Sequence, residues 1–262
     1  MSTVCSRLQC ARYVWFAGMA LAMAAVTGCR HRTVYQPPPP TLPPSPSTEP
    51  PGYPAPPARG VRPAPESGVS EADLEFVATH KPILTEVGVA SWYTDYKGRK
   101  QADGDPLDDD VMSAANRTLP LGSLVVVTNL KTGQSGAMYI TDRGPFIEGR
   151  ILDLSKASAK AVGLYRDGVD RVRLDVYRTP KSIWTGGRWC VQIGPITSER
   201  RADALKKRLI RKYPRASVID FAADRHEYWV RIRPHDGDRE TAVYLTRHVR
   251  PSQGVAFLTR LD

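Results

Sequence analysis

The chain has 262 residues, a formal net charge of +10 and only four cysteines. That length holds one or two domains. So few cysteines exclude a disulfide-built scaffold, and stability must come from packed cores.

The first 28 residues are set apart from those domains. Arg7 and Arg12 make a positive start, Val14 to Val26 is apolar without a charge, and small residues follow. A core this short reads as a secretory signal and is too brief for a membrane-spanning helix. Val26-Thr27-Gly28-Cys29 looks like a bacterial lipobox, which implies cleavage before Cys29 and lipid on that cysteine. Arg30 follows it where Asp would retain the chain at the inner membrane. By resemblance to lipoproteins of two-membraned bacteria, the expected place is the outer membrane, facing the periplasm. Cys5 and Cys10 leave with the signal, so Cys190 alone stays in the folded part, as a small buried residue in an apolar run.

Residues 29–85 read as a tether. Fourteen of the 23 prolines fall between Pro37 and Pro65, among Ser, Thr, Gly and Ala. Such a segment buries too little surface to offset its ordering entropy and is expected to be disordered and extended. Near its end Ser70–His80 can form a short helix, with Ser70 as cap and Asp73 in the first turn.

From Glu86 the texture changes to short strands. Val87–Tyr93, Leu124–Asn129 and Ala137–Thr141 are rich in branched and aromatic residues, and Lys131-Thr132-Gly133-Gln134 joins the last two as a tight hairpin. Then comes YITDRGPFIEGRILDLS at 139–155. Asp142 sits where a strand opens into the Arg143-Gly144-Pro145 turn, and a second strand-like run carries Asp153. Ser155–Val162 is helix-compatible with Gly163 as its stop, and Arg171–Arg178 alternates as a closing strand. Many short strands in residues 86–178 indicate a compact closed β-barrel.

A linker at 179–187 leads to a second module at 188–262. Trp189–Gly194 is a strand. A helix follows whose Ala202, Leu205, Leu209 and Tyr213 form one apolar stripe. Ala216–Phe221 and Tyr228–Arg233 are strands, Asp238–Val249 a helix and Gly254–Arg260 a last strand, the βαββαβ order of a ferredoxin-like domain. From Lys181 to Asp262 there are 17 Lys and Arg against 9 Asp and Glu, whereas Cys29 to Pro180 has 18 of each. The second module is therefore expected to meet a polyanion. Export argues against nucleic acid and for murein, with its lactyl and peptide carboxylates, or anionic lipid.

The runs GVASWY, KGRKQADGD, SAANRTLPLGSLVVVTNL and TDRGPFIEGRILDLSKASAKAVGL closely resemble the rare lipoprotein A family. Members are septal peptidoglycan lytic transglycosylases built on a six-stranded double-psi β-barrel. VQIGPITSERRADALKKRL is similar to the opening of the sporulation-related repeat, or SPOR, domain, whose members bind glycan strands stripped of stem peptides. The fold class expected is thus mainly β plus α+β. What the resemblance implies is cleavage of peptide-free strands at the division septum, with glycan and septal division proteins as partners.

Lytic transglycosylation uses no added water. The leaving oxygen takes a proton, and the sugar's own C6 hydroxyl attacks the anomeric carbon to leave a 1,6-anhydro end, so one protonated carboxyl is the minimum. Hydrolysis would use two. By the resemblance, Asp142 matches the acid of the family's DRGPF motif and is the candidate general acid. Asp105 stands where the family has Glu, and Asn116 where it has His. Asp is a methylene shorter, a shortfall of roughly 1 Å that can cost about 100-fold in rate. Asn hydrogen-bonds but carries no proton at neutral pH. Two readings stay open: an enzyme working through Asp142, or a wall-binding lipoprotein with an impaired barrel site.

Trp92 and Tyr93 adjoin on a strand and face opposite sides, one toward the core and the other able to stack on a sugar. Arg143, Gln192, Trp229 and Arg231 complete the candidate glycan contacts. The acidic run around Asp103, Asp105 and Asp108-Asp109-Asp110 fits a calcium loop poorly, and the five histidines show no paired spacing, so no metal or cofactor is expected.

Overall fold

A computed structural model of the chain describes residues 68–94, 100–224 and 227–262, with the side chains of 222–224 left aside. The signal segment, Cys29 and the Pro-rich part of the tether lie outside the described residues.

Structure begins ahead of the expected boundary at 86. Helix α1 (Glu71–Thr79) starts at Ser70, whose hydroxyl accepts from the Asp73 N–H at 3.2 Å, and Glu71 and Asp73 meet the positive helix end. The helix belongs to the barrel rather than to a free tether. Val77, with Val69 ahead of the helix, packs on Leu124, Val126 and Ala137 of the barrel wall. Asp73, itself buried, takes hydrogen bonds from Tyr139 Oη and Arg178 Nη2.

Six strands close the barrel: β1 (Leu84–Trp92), β2 (Ser113–Ala115), β3 (Ser123–Asn129), β4 (Ser135–Asp142), β5 (Arg150–Leu154) and β6 (Val169–Arg178), in the spatial order β1-β5-β2-β4-β3-β6. β1 pairs parallel with β5 and antiparallel with β6, and β2 pairs parallel with β4 and antiparallel with β5. β3 explains its own sequence. Val125 and Val127 face the interior while Leu124 and Val126 lie under α1, so all seven residues are buried and no alternation is left to read. Gly133 supplies the positive φ, 72°, at the β3–β4 turn. Helix α2 (Lys156–Ala161) starts from Ser155, whose hydroxyl accepts from the Ser158 N–H at 3.2 Å.

The second module is a four-stranded sheet of β7 (Trp189–Ile196), β8 (Ser217–Asp224), β9 (Glu227–Arg233) and β10 (Val255–Arg260), in the order β10-β7-β9-β8 with every neighbour antiparallel. Helices α3 (Glu199–Lys212) and α4 (Arg239–His248) cover one face through Ala202, Leu205, Leu209 and Leu245 against Val191, Ile193, Val230 and Ile232. Cys190 is fully buried, and burial pushes its thiol up to about 11, which removes it as a nucleophile.

The other face of this sheet meets the barrel. Phe146 lies 5.5 Å from Trp229 and 5.9 Å from Phe257, ring centre to ring centre, and the Arg117 guanidinium stands 5.5 Å from the Phe257 ring. The Arg260 N–H donates to the Arg117 carbonyl at 2.8 Å.

Candidate functional site

Alternation along β5 sets the site. Leu152 and Leu154 are buried in the barrel core, so Asp153 between them points out through the wall. On β2, Ala114 is core, and Ala115 faces out. Ala115 pairs with Asp153 on one side and, past an irregularity in the register, with Asp142 on the other. Asp142, Ala115 and Asp153 therefore form a row on the outer wall. They line an open cleft of about 120 Å³ together with Tyr93, Arg143, Gly144, Pro145 and Phe146.

Asp142 ends β4 and is 4% exposed. Its Oδ1 accepts from the Ala102 N–H at 3.0 Å and the Arg143 N–H at 2.8 Å, and its carbonyl accepts from the Asn116 N–H at 3.1 Å. The loop after β1 thus hangs on the end of β4, a tie repeated where the Asp103 N–H donates to the Thr141 carbonyl. On that loop desolvation is the largest influence on Asp103. With the charges of Asp105 and Asp142, and against the Asp105 N–H bond, it pushes that carboxyl above the usual range. The other acids of this stretch serve the backbone: Asp103 Oδ1 accepts from the Asp105 N–H and Asp108 Oδ1 from the Asp110 N–H.

The structure separates the expected site residues. Tyr93 lines the cleft while Trp92 packs on the barrel core, its ring 4.8 Å from that of Tyr165, which settles which of the pair faces which way. Asp105 is exposed and outside the cleft lining. Asn116 is buried and spent on structure: its Nδ2 donates to the Ile151 carbonyl at 3.0 Å, and its Oδ1 accepts from the N–H groups of Thr118 and Leu119, each at 2.8 Å. Asn116 thus builds the turn at 116–119, with both ends of its amide bonded to backbone.

Arg143 is likewise bonded to backbone. Although it borders the cleft, its guanidinium donates to the carbonyls of Asn116 (3.0 Å), Leu119 (2.6 Å) and Asp262 (2.7 Å). Burial, then the neighbouring Arg260, brings its pKa down to about 10, and it stays charged at neutral pH.

Gln192 and Trp229 are not open to glycan here. Both are buried on the sheet face that meets the barrel. Trp229 lies on Gly194, where a Cβ would come within 2.4 Å of the indole. Arg231 is half-buried, its Nη2 donating to Gln192 Oε1 at 2.9 Å. What sequence reasoning missed at the site is Asp153. The signal was present in RILDLS, where two inward leucines turn the Asp outward.

Barrel, acid-lined cleft and second sheet define a class: proteins that join a double-psi β-barrel to a SPOR domain. A family model described as "Lytic transglycolase" matches residues 85–174 and one described as "SPOR domain" matches 185–256. The chain is 32% identical over 187 residues to the endolytic peptidoglycan transglycosylase RlpA of Vibrio cholerae, covering 68% of this chain and 70% of that one. It is 46% identical over 116 residues to the protein of that name from Pasteurella multocida, covering 44% and 40%. To the probable endolytic peptidoglycan transglycosylase RlpA of Synechocystis sp. it is 48% identical over 104 residues, covering 39% and 32%. The matched part spans 32% of the Synechocystis relative and 40% of the Pasteurella one. The chain belongs to the RlpA family.

Proposed function

We propose that the barrel is an endolytic peptidoglycan transglycosylase that cuts peptide-free glycan strands and leaves 1,6-anhydro-muramyl ends. The observation that carries this reading is Asp142, buried at the floor of an outward cleft with Tyr93 on its wall. In this reading Asp142 hands a proton to the glycosidic oxygen, and Tyr93 offers a flat face to a sugar ring. The C-terminal module, whose order we read as ferredoxin-like, binds glycan and enriches the protein at the septum. A lipid on Cys29 tethers the chain to the outer membrane from the periplasmic side.

The names of the relatives and the SPOR match support action on peptidoglycan. A second reading, a wall-binding lipoprotein without turnover, draws on Asp105 lying outside the cleft and Asn116 being committed to the backbone. One experiment separates them. Peptide-free glycan is incubated with the protein and the products are weighed by mass spectrometry. Anhydro-muramyl fragments with the wild type, reduced about 100-fold or more in Asp142→Asn, are expected for an enzyme. Intact strands that still bind the protein would leave adhesion alone.

A further inference from the structure

We infer that Asp153 is the second working carboxylate of the cleft, the group that takes the proton from the C6 hydroxyl as that oxygen attacks. The inference rests on the transglycosylase reading above and adds a residue to it.

Directly paired residues on neighbouring strands present their side chains on one face, and Ala115 has Asp142 on one side and Asp153 on the other. Two strand spacings put the two aspartate backbones about 9.6 Å apart. Between them the methyl of Ala115 leaves a notch, and all three residues line the same cleft. Backbones so spaced leave room for a third reactant between the two side chains, as the wider carboxyl pairs of inverting hydrolases do. Here the C6 hydroxyl takes the place that water takes in an inverting hydrolase.

The surroundings also divide the labour. Asp153 Oδ2 lies 3.3 Å from Arg150 Nη2. The Arg117 guanidinium, held by the carbonyls of Pro145 (2.5 Å) and Arg150 (2.8 Å), adds a second positive charge near it. Two guanidinium groups beside a carboxylate favour its charged form, the form that accepts a proton. Asp142 stands on the other side of the Ala115 notch.

The step balances. The bond from C1 to the leaving oxygen breaks, and that oxygen takes the proton of Asp142. The C6 oxygen bonds to C1, and its proton passes to Asp153. Exchange with water then returns one proton to Asp142 and removes one from Asp153.

The test uses the full chain on peptide-free glycan with product mass as readout. If the wild type makes no anhydro product, the proposed function fails and the role of Asp153 with it. With an active wild type and a folded Asp153→Asn variant, a loss of about 100-fold or more in kcat is expected, with glycan binding retained. Activity within threefold of wild type would overturn the inference while leaving the function standing. Should the Asn variant not fold, Asp153→Glu decides. A carboxylate displaced by about 1 Å is expected to lose at least tenfold, and an unchanged rate overturns the inference.

Discussion

At the scale of single residues, the cleft is held by groups that look reactive in sequence and prove to be fasteners. Arg143 satisfies three carbonyls from two segments, the turn at 116–119 and Asp262 beyond β10. Lys, a compact point charge without a fork, cannot span them. Arg143→Lys is expected to cost about 1–3 kcal/mol for each carbonyl left unpartnered, read as a fall in Tm by calorimetry. Asn116 carries a parallel expectation. Its Oδ1 caps two N–H groups in a site that is 4% exposed, so Asn116→His is expected to lower stability rather than to raise turnover. Thermal melts beside product yields would show this, and a His variant that melts like wild type and cuts faster would contradict it.

At the scale of elements, α1 is fastened by a charge as well as by apolar contact. The Tyr139 hydroxyl bond is the largest influence on Asp73; with Ser70 and Arg178, and against burial, it holds the carboxyl below its ordinary range. A depressed carboxylate stabilises the docked helix at pH values above its unfolded value, near 3.9, and that contribution disappears as pH falls through the lower folded value. Hydrogen exchange or limited proteolysis of 70–80 is therefore expected to stay slow at neutral pH and to accelerate below about pH 4. Asp73→Asn should show the fast behaviour at every pH. The same elements show what sequence makes legible. Strand β5 announced itself through alternation, and α3 and α4 through their stripes of Ala and Leu. Strand β2 escaped because three residues carry no period, and it owes its existence to partners on both sides. Helix α1 was legible as a helix but not as part of the barrel, because its buried face is one valine and one ionised Asp. The docking of Gln192 and Trp229 was hidden for another reason: their strands read alike whether water or protein covers them.

At the scale of the molecule, the two modules share an apolar contact around Phe146 and a backbone bond from Arg260 to Arg117. Because Phe146 belongs to the turn that walls the cleft, the second module braces the barrel's site. Trp229→Ala is expected to cost about 3–5 kcal/mol at this contact and within the sheet. Calorimetry should then resolve two transitions where one is expected of the wild type, the barrel melting apart from its partner. A single transition unchanged in position would mean the contact carries no weight. Asp262 locks the linker to the end of β10. Against the upward push of burial, bonds from Lys181, the Arg188 N–H and Arg260 hold its carboxyl far below the usual range, so this lock too weakens only in strong acid.

The pairing of β1 has a consequence for how the chain comes into being. Among the described residues its neighbours in the sheet are β5 and β6, which end at Leu154 and Arg178. Seventy-six residues lie between Trp92 and Val169, so the pairing of β1 with β6 closes a long loop, at a cost that grows only with the logarithm of its length. Until that loop closes an edge of β1 stands bare, and it is then that a holding chaperone has most to do.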